Sequence, residues 1–274
     1  MQMNEKSSFQ KAWEVLFPFI VYYLTYNAAY LVLAFAYQAA VKGFGAADGQ
    51  IMTAYEATVS GIAGGLCSLI GMLPLLPMFK KELQIRGNED GLLRDDNNGA
   101  GRQIIELTTT VILALSVSLG LNAFLTLTGF VESSQTYRQV ADHQYGVVFG
   151  IGLLLYGMVS PLAEEILFRG VIYNRLRRYF GPFAGIVASG VFFGIFHGNL
   201  VQGVYGTVMG MLIAYVYERS GKFITPFLFH AVANLAVYTA AYLQGIQKVL
   251  FTPAGCVGLL AVAAGSVWLE RRKM

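Results

Sequence analysis

Three short clusters hold the residues that could do chemistry: Glu164-Glu165-x-x-x-Arg169, Phe193-x-x-x-His197 and His230-x-x-x-Asn234. On a helix, residues i and i+4 share a face, so each cluster sets two functional groups one turn apart. Glu165 and Arg169 meet this way and are expected to form a supporting ion pair. Glu164 points about 100° away and is left without such a partner. A free carboxylate can take a proton from water and hand it on, as a general base does. His230 and Asn234 present two side-chain donors one turn apart, the arrangement an oxyanion requires. Glu164, His197 and His230 could instead supply three zinc ligands with water in the fourth position. No His-Glu-x-x-His or other compact zinc motif is present, so the metal-free reading leads. Taken singly, each cluster has a plainer reading: an interfacial Glu-Arg pair, or a histidine packed and hydrogen-bonded in a core.

These groups sit in a chain that reads as membrane. Of its 274 residues 55% are hydrophobic and 13% charged, and its mean hydropathy is +0.54. A soluble domain carries about 25% charged residues. Ionisable groups cost roughly 2.5–3.5 kcal/mol each at the centre of a spanning helix, so those kept there are expected to have a use. The net charge of +3 is too small to imply nucleic acid. The cysteines, Cys67 and Cys256, lie in apolar segments and make neither a disulfide framework nor a metal motif.

The elements that must position the clusters are apolar blocks near the ~20 residues that cross a bilayer. Eight are expected, over 13–38, 54–79, 104–130, 146–163, 183–199, 201–217, 223–243 and 250–268. The fold class is thus all-α, a polytopic membrane helix bundle of about eight transmembrane helices. The organisation expected is 1–145 for the first three spans and their polar loop, 146–245 for the core carrying the clusters, and 246–274 for the last span and a basic tail. The first block is too long for a signal peptide and is expected to stay as an uncleaved span. Charge bias orients the bundle. With the N-terminus inside, the cytoplasmic segments hold fifteen Lys and Arg residues, including Lys80, Lys81, Arg175, Arg177 and Arg178. The outside holds Lys42, Arg138 and Lys248. Both termini are then cytoplasmic, and size and the lack of sorting signals suggest a bacterial plasma membrane.

Geometry tests the clusters against each other. Gly181-Pro182 is a turn signal. Glu164 and His197 lie at nearly equal distances on either side of it, so two antiparallel helices bring them level. His230 falls on the cytoplasmic half of its span and matches less well, unless the hairpin protrudes into the cytoplasm. Gly203, Gly206 and Gly210 give one span a small-residue surface for close helix contact. Tyr22, Tyr26 and Tyr30 form a stripe on the first.

The three clusters, in this order on late helices, resemble the CPBP family of intramembrane proteases, which includes the type II CAAX prenyl endopeptidases and relatives linked to bacteriocin processing and self-immunity. The resemblance covers roughly residues 161–234. It implies that Glu164 activates water, that His197 holds and polarises that water, and that His230 and Asn234 stabilise the tetrahedral oxyanion. Glu165 and Arg169 match the rest of the first motif, and Phe193 is a packing residue of the second. The expected partners are the bilayer and a peptide or protein substrate, lipidated or membrane-associated, reaching a cavity open to the cytoplasm. Two alternatives stay open: a zinc-dependent version of the same site, and a membrane protein that binds a peptide or confers immunity without cutting.

Overall fold

The computed structural model describes residues 6–43, 55–91 and 100–271, and all regular structure among them is helical. Helix α1 covers Ser8–Gly43 and α2 covers Glu56–Met72; a 3-10 turn containing Pro74 leads into α3, Leu76–Gly91. Helices α4, Ala100–Leu127, and α5, Gln135–Tyr145, follow. A long run then comprises α6 (Phe149–Leu154), a π-helical segment Leu155–Val159, α7 (Ser160–Glu165), a second π segment Ile166–Tyr173, and α8 (Asn174–Phe196). The chain closes with α9 (Leu200–Ser220), α10 (Ile224–Tyr242), α11 (Gln244–Leu250) and α12 (Pro253–Arg271).

By length and composition, six helices among the described residues can cross a membrane: Ser8–Ala40, Glu56–Glu89, Gln103–Leu127, Phe149–Phe196, Leu200–Ser220 and Ile224–Tyr242. A shorter apolar helix covers Pro253–Leu269. The molecule is a multi-pass helical membrane bundle. Over the described residues, all eight apolar blocks of the sequence are predominantly helical. The count differs because the fourth and fifth are arms of one run, and because the eighth is short.

That run folds back at Gly181, whose φ of 85° and ψ of 166° lie outside the helical region and suit glycine before Pro182. The Phe168 ring lies 5.1 Å from Phe193 and 5.4 Å from Phe196, so the arms run antiparallel. At the bend, Arg175 Nε and Arg178 Nη1 donate to the two oxygens of buried Glu82 on α3, at 2.7 and 2.9 Å. Arg177 Nε and Arg86 Nη2 both donate to Glu218 Oε2 near the end of α9, at 2.8 and 3.0 Å. The basic run after the second π segment is thus clamped to α3 and α9.

Helices α8 and α9 meet through glycine. A Cβ at Gly210 would lie 2.9 Å from Gly190 Cα, and one at Gly206 would lie 3.3 Å from Gly194 Cα. Backbones approach this closely only where side chains are missing. Asn199 caps α9, its side-chain oxygen accepting from Gln202 N at 2.9 Å, and Gly221 ends it with φ 65°. An apolar cluster of Tyr22, Ile166, Leu167, Phe168 and Phe193 underlies the first two functional clusters. Within the tyrosine stripe of α1, Tyr22 is core and Tyr30 is exposed.

Candidate active site

The fold gathers the three clusters. Glu164, His197, His230 and Asn234 line one cavity of about 210 Å³, with Ser160, Tyr156 and Phe193 beside them.

Glu165 and Arg169 lie behind this cavity, both fully buried. Arg169 Nη1 donates to Glu165 Oε1 at 3.0 Å, the i,i+4 contact of the first cluster. Its Nη2 donates to the Gly210 carbonyl of α9 at 3.0 Å, and the guanidinium stacks 4.6 Å from the Phe193 ring centre. Three elements therefore converge on one cation, which a bilayer would otherwise penalise.

Glu165 does more than neutralise Arg169. Its Oε1 also accepts from His230 Nδ1 at 2.7 Å. The proton on Nδ1 is assigned by this acceptor, so the neutral ring carries its lone pair on Nε2. Nε2 in turn lies 3.8 Å from Glu164 Oε2. The depth mismatch expected for His230 is absent, because both carboxylates of the first cluster reach it.

Glu164 is partly buried at the cavity wall. Its Oε1 accepts from Ser160 Oγ, one turn earlier, at 2.5 Å. Its Oε2 is buried with no hydrogen-bond partner among the described residues. One oxygen is fixed by Ser160 and the other makes no hydrogen bond among the described residues. Ser160 was not singled out from sequence, although it occupies the i−4 position on the Glu164 face.

His197 ends α8. Its Nδ1 donates to the Phe193 carbonyl at 2.8 Å, leaving the Nε2 lone pair as the second imidazole acceptor at the site. The Phe193 ring packs edge-on to both histidines, 4.8 Å from His197 and 5.4 Å from His230.

Asn234 Nδ2 donates to the Tyr156 carbonyl at 2.9 Å. The backbone explains why that carbonyl is open. Ser160 N bonds to Leu155 O in the π register, and the next donor in that register would be residue 161. Pro161 has no N–H, so Asn234 takes the Tyr156 oxygen instead. One amide N–H of Asn234 is thereby committed and the other is left. Of the expected donor pair, His230 commits its Nδ1 to Glu165 and Asn234 commits one N–H to Tyr156.

Glu164, His197 and His230 carry atoms of the right kind for zinc. Among the described residues, however, no group of three or more His, Cys, Asp or Glu side chains is arranged to hold a metal ion.

Residues 147–236 match the family described as Type II CAAX prenyl endopeptidase Rce1-like. A protein of Bacillus subtilis (strain 168), named "Putative membrane peptidase YdiL", is 29% identical over 142 residues, covering 44% of this chain and 57% of that protein. The matched region thus spans little more than half the length of that curated relative. No solved structure matches the chain. The family match and the relative support the CPBP resemblance carried by the three clusters.

Proposed function

We propose that this chain, Rce1-like over residues 147–236, is an intramembrane protease that hydrolyses a peptide bond with water activated by Glu164. The observation that carries the reading is the Glu164 carboxylate. Ser160 holds one oxygen, and the other has no hydrogen-bond partner among the described residues; Glu164 lines a cavity with His197, His230 and Asn234.

Water in that cavity would give a proton to Glu164 Oε2 as its oxygen attacks the substrate carbonyl carbon. The His197 Nε2 lone pair would accept the second water proton as a hydrogen bond and orient the nucleophile. The carbonyl π pair moves onto oxygen, where the uncommitted N–H of Asn234 stabilises it. His230 adds a second donor only when both ring nitrogens are protonated; otherwise, fixed by Glu165, it sets the position of Glu164. Collapse of the intermediate breaks the C–N bond, and Glu164 returns its proton to the leaving amine. Glu165 and Arg169 hold His230 in register and do not touch the reacting atoms. The site needs no metal in this scheme.

The substrate is a peptide or protein segment at the membrane. The test is a proteomic comparison of membrane and medium peptides from cells making the wild-type chain or Glu164→Gln. Fragments that depend on Glu164 support the reading; identical peptide sets oppose it.

A further inference from the structure

The catalytic cavity belongs to one end of the bundle. Its rim includes Leu125 at the end of α4, Tyr137 and Gln144 of α5, and His197 and Gln202 on either side of the α8–α9 turn. A second cavity shares Tyr156 and Ser160 with the first, and is also lined by Ser60 near the start of α2 and His143 of α5. Both therefore extend to the end of the bundle where α4 ends, α5 lies, and α2, α6 and α9 begin.

The cations mark the opposite end. Lys80, Lys81 and Arg86 are on α3, Arg175, Arg177 and Arg178 are at the Gly181 bend, and Lys222 is at the α9–α10 turn. The connections at the cavity end hold only Lys42, Arg138 and Lys248 among the lysines and arginines of the described residues. The helices keep the two ends apart. α9 runs from Asn199 at the cavity to Gly221 at the basic end, and α10 returns from Lys222 toward Tyr238 on the cavity wall. Cytoplasmic connections of membrane proteins concentrate Lys and Arg, and this bias sets orientation.

From these facts we infer that the cavity opens on the extracytoplasmic side. Its substrate is then an uncharged peptide segment exposed on that side, in a translocated or membrane-anchored protein. The orientation stands on the fold and the charges, whereas the word substrate rests on the protease reading above. The uncharged character follows from the wall. Apart from Glu164, His197 and His230, no lining residue among the described ones is an acid, a lysine, an arginine or a histidine, and tyrosines, amides and Ser160 supply the other polar side-chain atoms. Such a wall can hydrogen-bond an extended backbone but leaves a charged side chain unpaired. This orientation differs from the expected cavity open to the cytoplasm, because α5, in the connection assigned outside, contributes to the cavity wall.

Two measurements on the full chain separate the parts. In the first, Asp142→Cys on the exposed face of α5 and Lys81→Cys on α3 are labelled with a membrane-impermeant maleimide in intact bacterial cells and in inverted vesicles. Denatured samples give the full-labelling reference, and the wild type, whose Cys67 and Cys256 are buried, gives the blank. The expected result is at least tenfold more labelling of Asp142→Cys than of Lys81→Cys in cells, and the reverse in inverted vesicles. Labelling of Asp142→Cys only from the cytoplasmic face overturns the orientation. In the second, a membrane-anchored reporter carries a randomised segment of uncharged residues on one flank or the other. Wild-type cleavage of the extracytoplasmic flank alone, absent in Glu164→Gln, supports the substrate class, and cleavage of the cytoplasmic flank overturns it. If labelling is outward and neither flank is cut, the orientation holds and the protease reading fails.

Discussion

His230 Nδ1 lies 2.7 Å from Glu165 Oε1, a contact between residues far apart in sequence that links two of the three clusters. The same oxygen binds Arg169, so one buried atom fixes both the cation that ties α7 to α9 and the imidazole that faces Glu164. Removing one partner strands the other's charge, and breaking a buried pair costs about 3–5 kcal/mol. Glu165→Leu is therefore expected to lower the midpoint of thermal unfolding in detergent. Glu165→Leu combined with Arg169→Met recovers much of that stability, because well-packed apolar residues can replace a buried pair. Activity stays low in the double variant, since His230 has lost its anchor. Recovery of both together would contradict a positioning role for Glu165.

Ser160 holds the fixed oxygen of Glu164 at 2.5 Å. A hydrogen bond to a charged group is worth roughly 1.5–3 kcal/mol. Ser160→Ala should lower kcat by about tenfold or more with little change in thermal stability, and Ser160→Thr should restore part of it. Unchanged kcat in Ser160→Ala would remove Ser160 from the site.

Asn234 lines the cavity and donates one amide N–H to the Tyr156 carbonyl; the other is the proposed oxyanion donor. Loss of one oxyanion donor costs about 10²–10³ in kcat. Asn234→Leu is expected to fall in that range, with KM moving less. Equal losses in KM and none in kcat would assign Asn234 to substrate binding.

The α8–α9 contact places His197. A Cβ at Gly190 would come within 2.8 Å of Met211 N and 3.0 Å of the Thr207 carbonyl, so Gly190→Ala must part the helices. Overpacking of this kind costs about 1–3 kcal/mol. Gly258→Ala on α12 meets nothing within 4 Å and should be neutral, or stabilise by roughly 0.5–1 kcal/mol. Melting curves of the two variants check the contrast.

Much of this arrangement was legible in the sequence where it depended on local period. The eight apolar blocks became helices, the Glu165–Arg169 pair followed from i,i+4 spacing, and the Gly181 bend levelled Glu164 with His197. The glycines of α9 read as a contact surface and pack against Gly190 and Gly194. What escaped was non-local. Nothing in the spacing tells that Glu165 reaches His230, or that Arg169 reaches the Gly210 carbonyl. The π register before Pro161 hides in an ordinary apolar run, yet it opens the Tyr156 carbonyl to Asn234. The polar connection holding α5 read as an outside loop, so its place on the cavity wall was not foreseen.

In the proposed reaction Glu164 carries the proton. The direct measurement is hydrolysis of a short-peptide library by purified wild type and Glu164→Gln in liposomes, with equal thermal midpoints as the folding control and bound zinc measured in the same samples. Loss of general-base catalysis is expected to lower turnover by about 10²–10⁴. The expected result is a loss of that size, with wild-type cleavage unaffected by chelator and no stoichiometric zinc. Full turnover by a folded Glu164→Gln protein would contradict it.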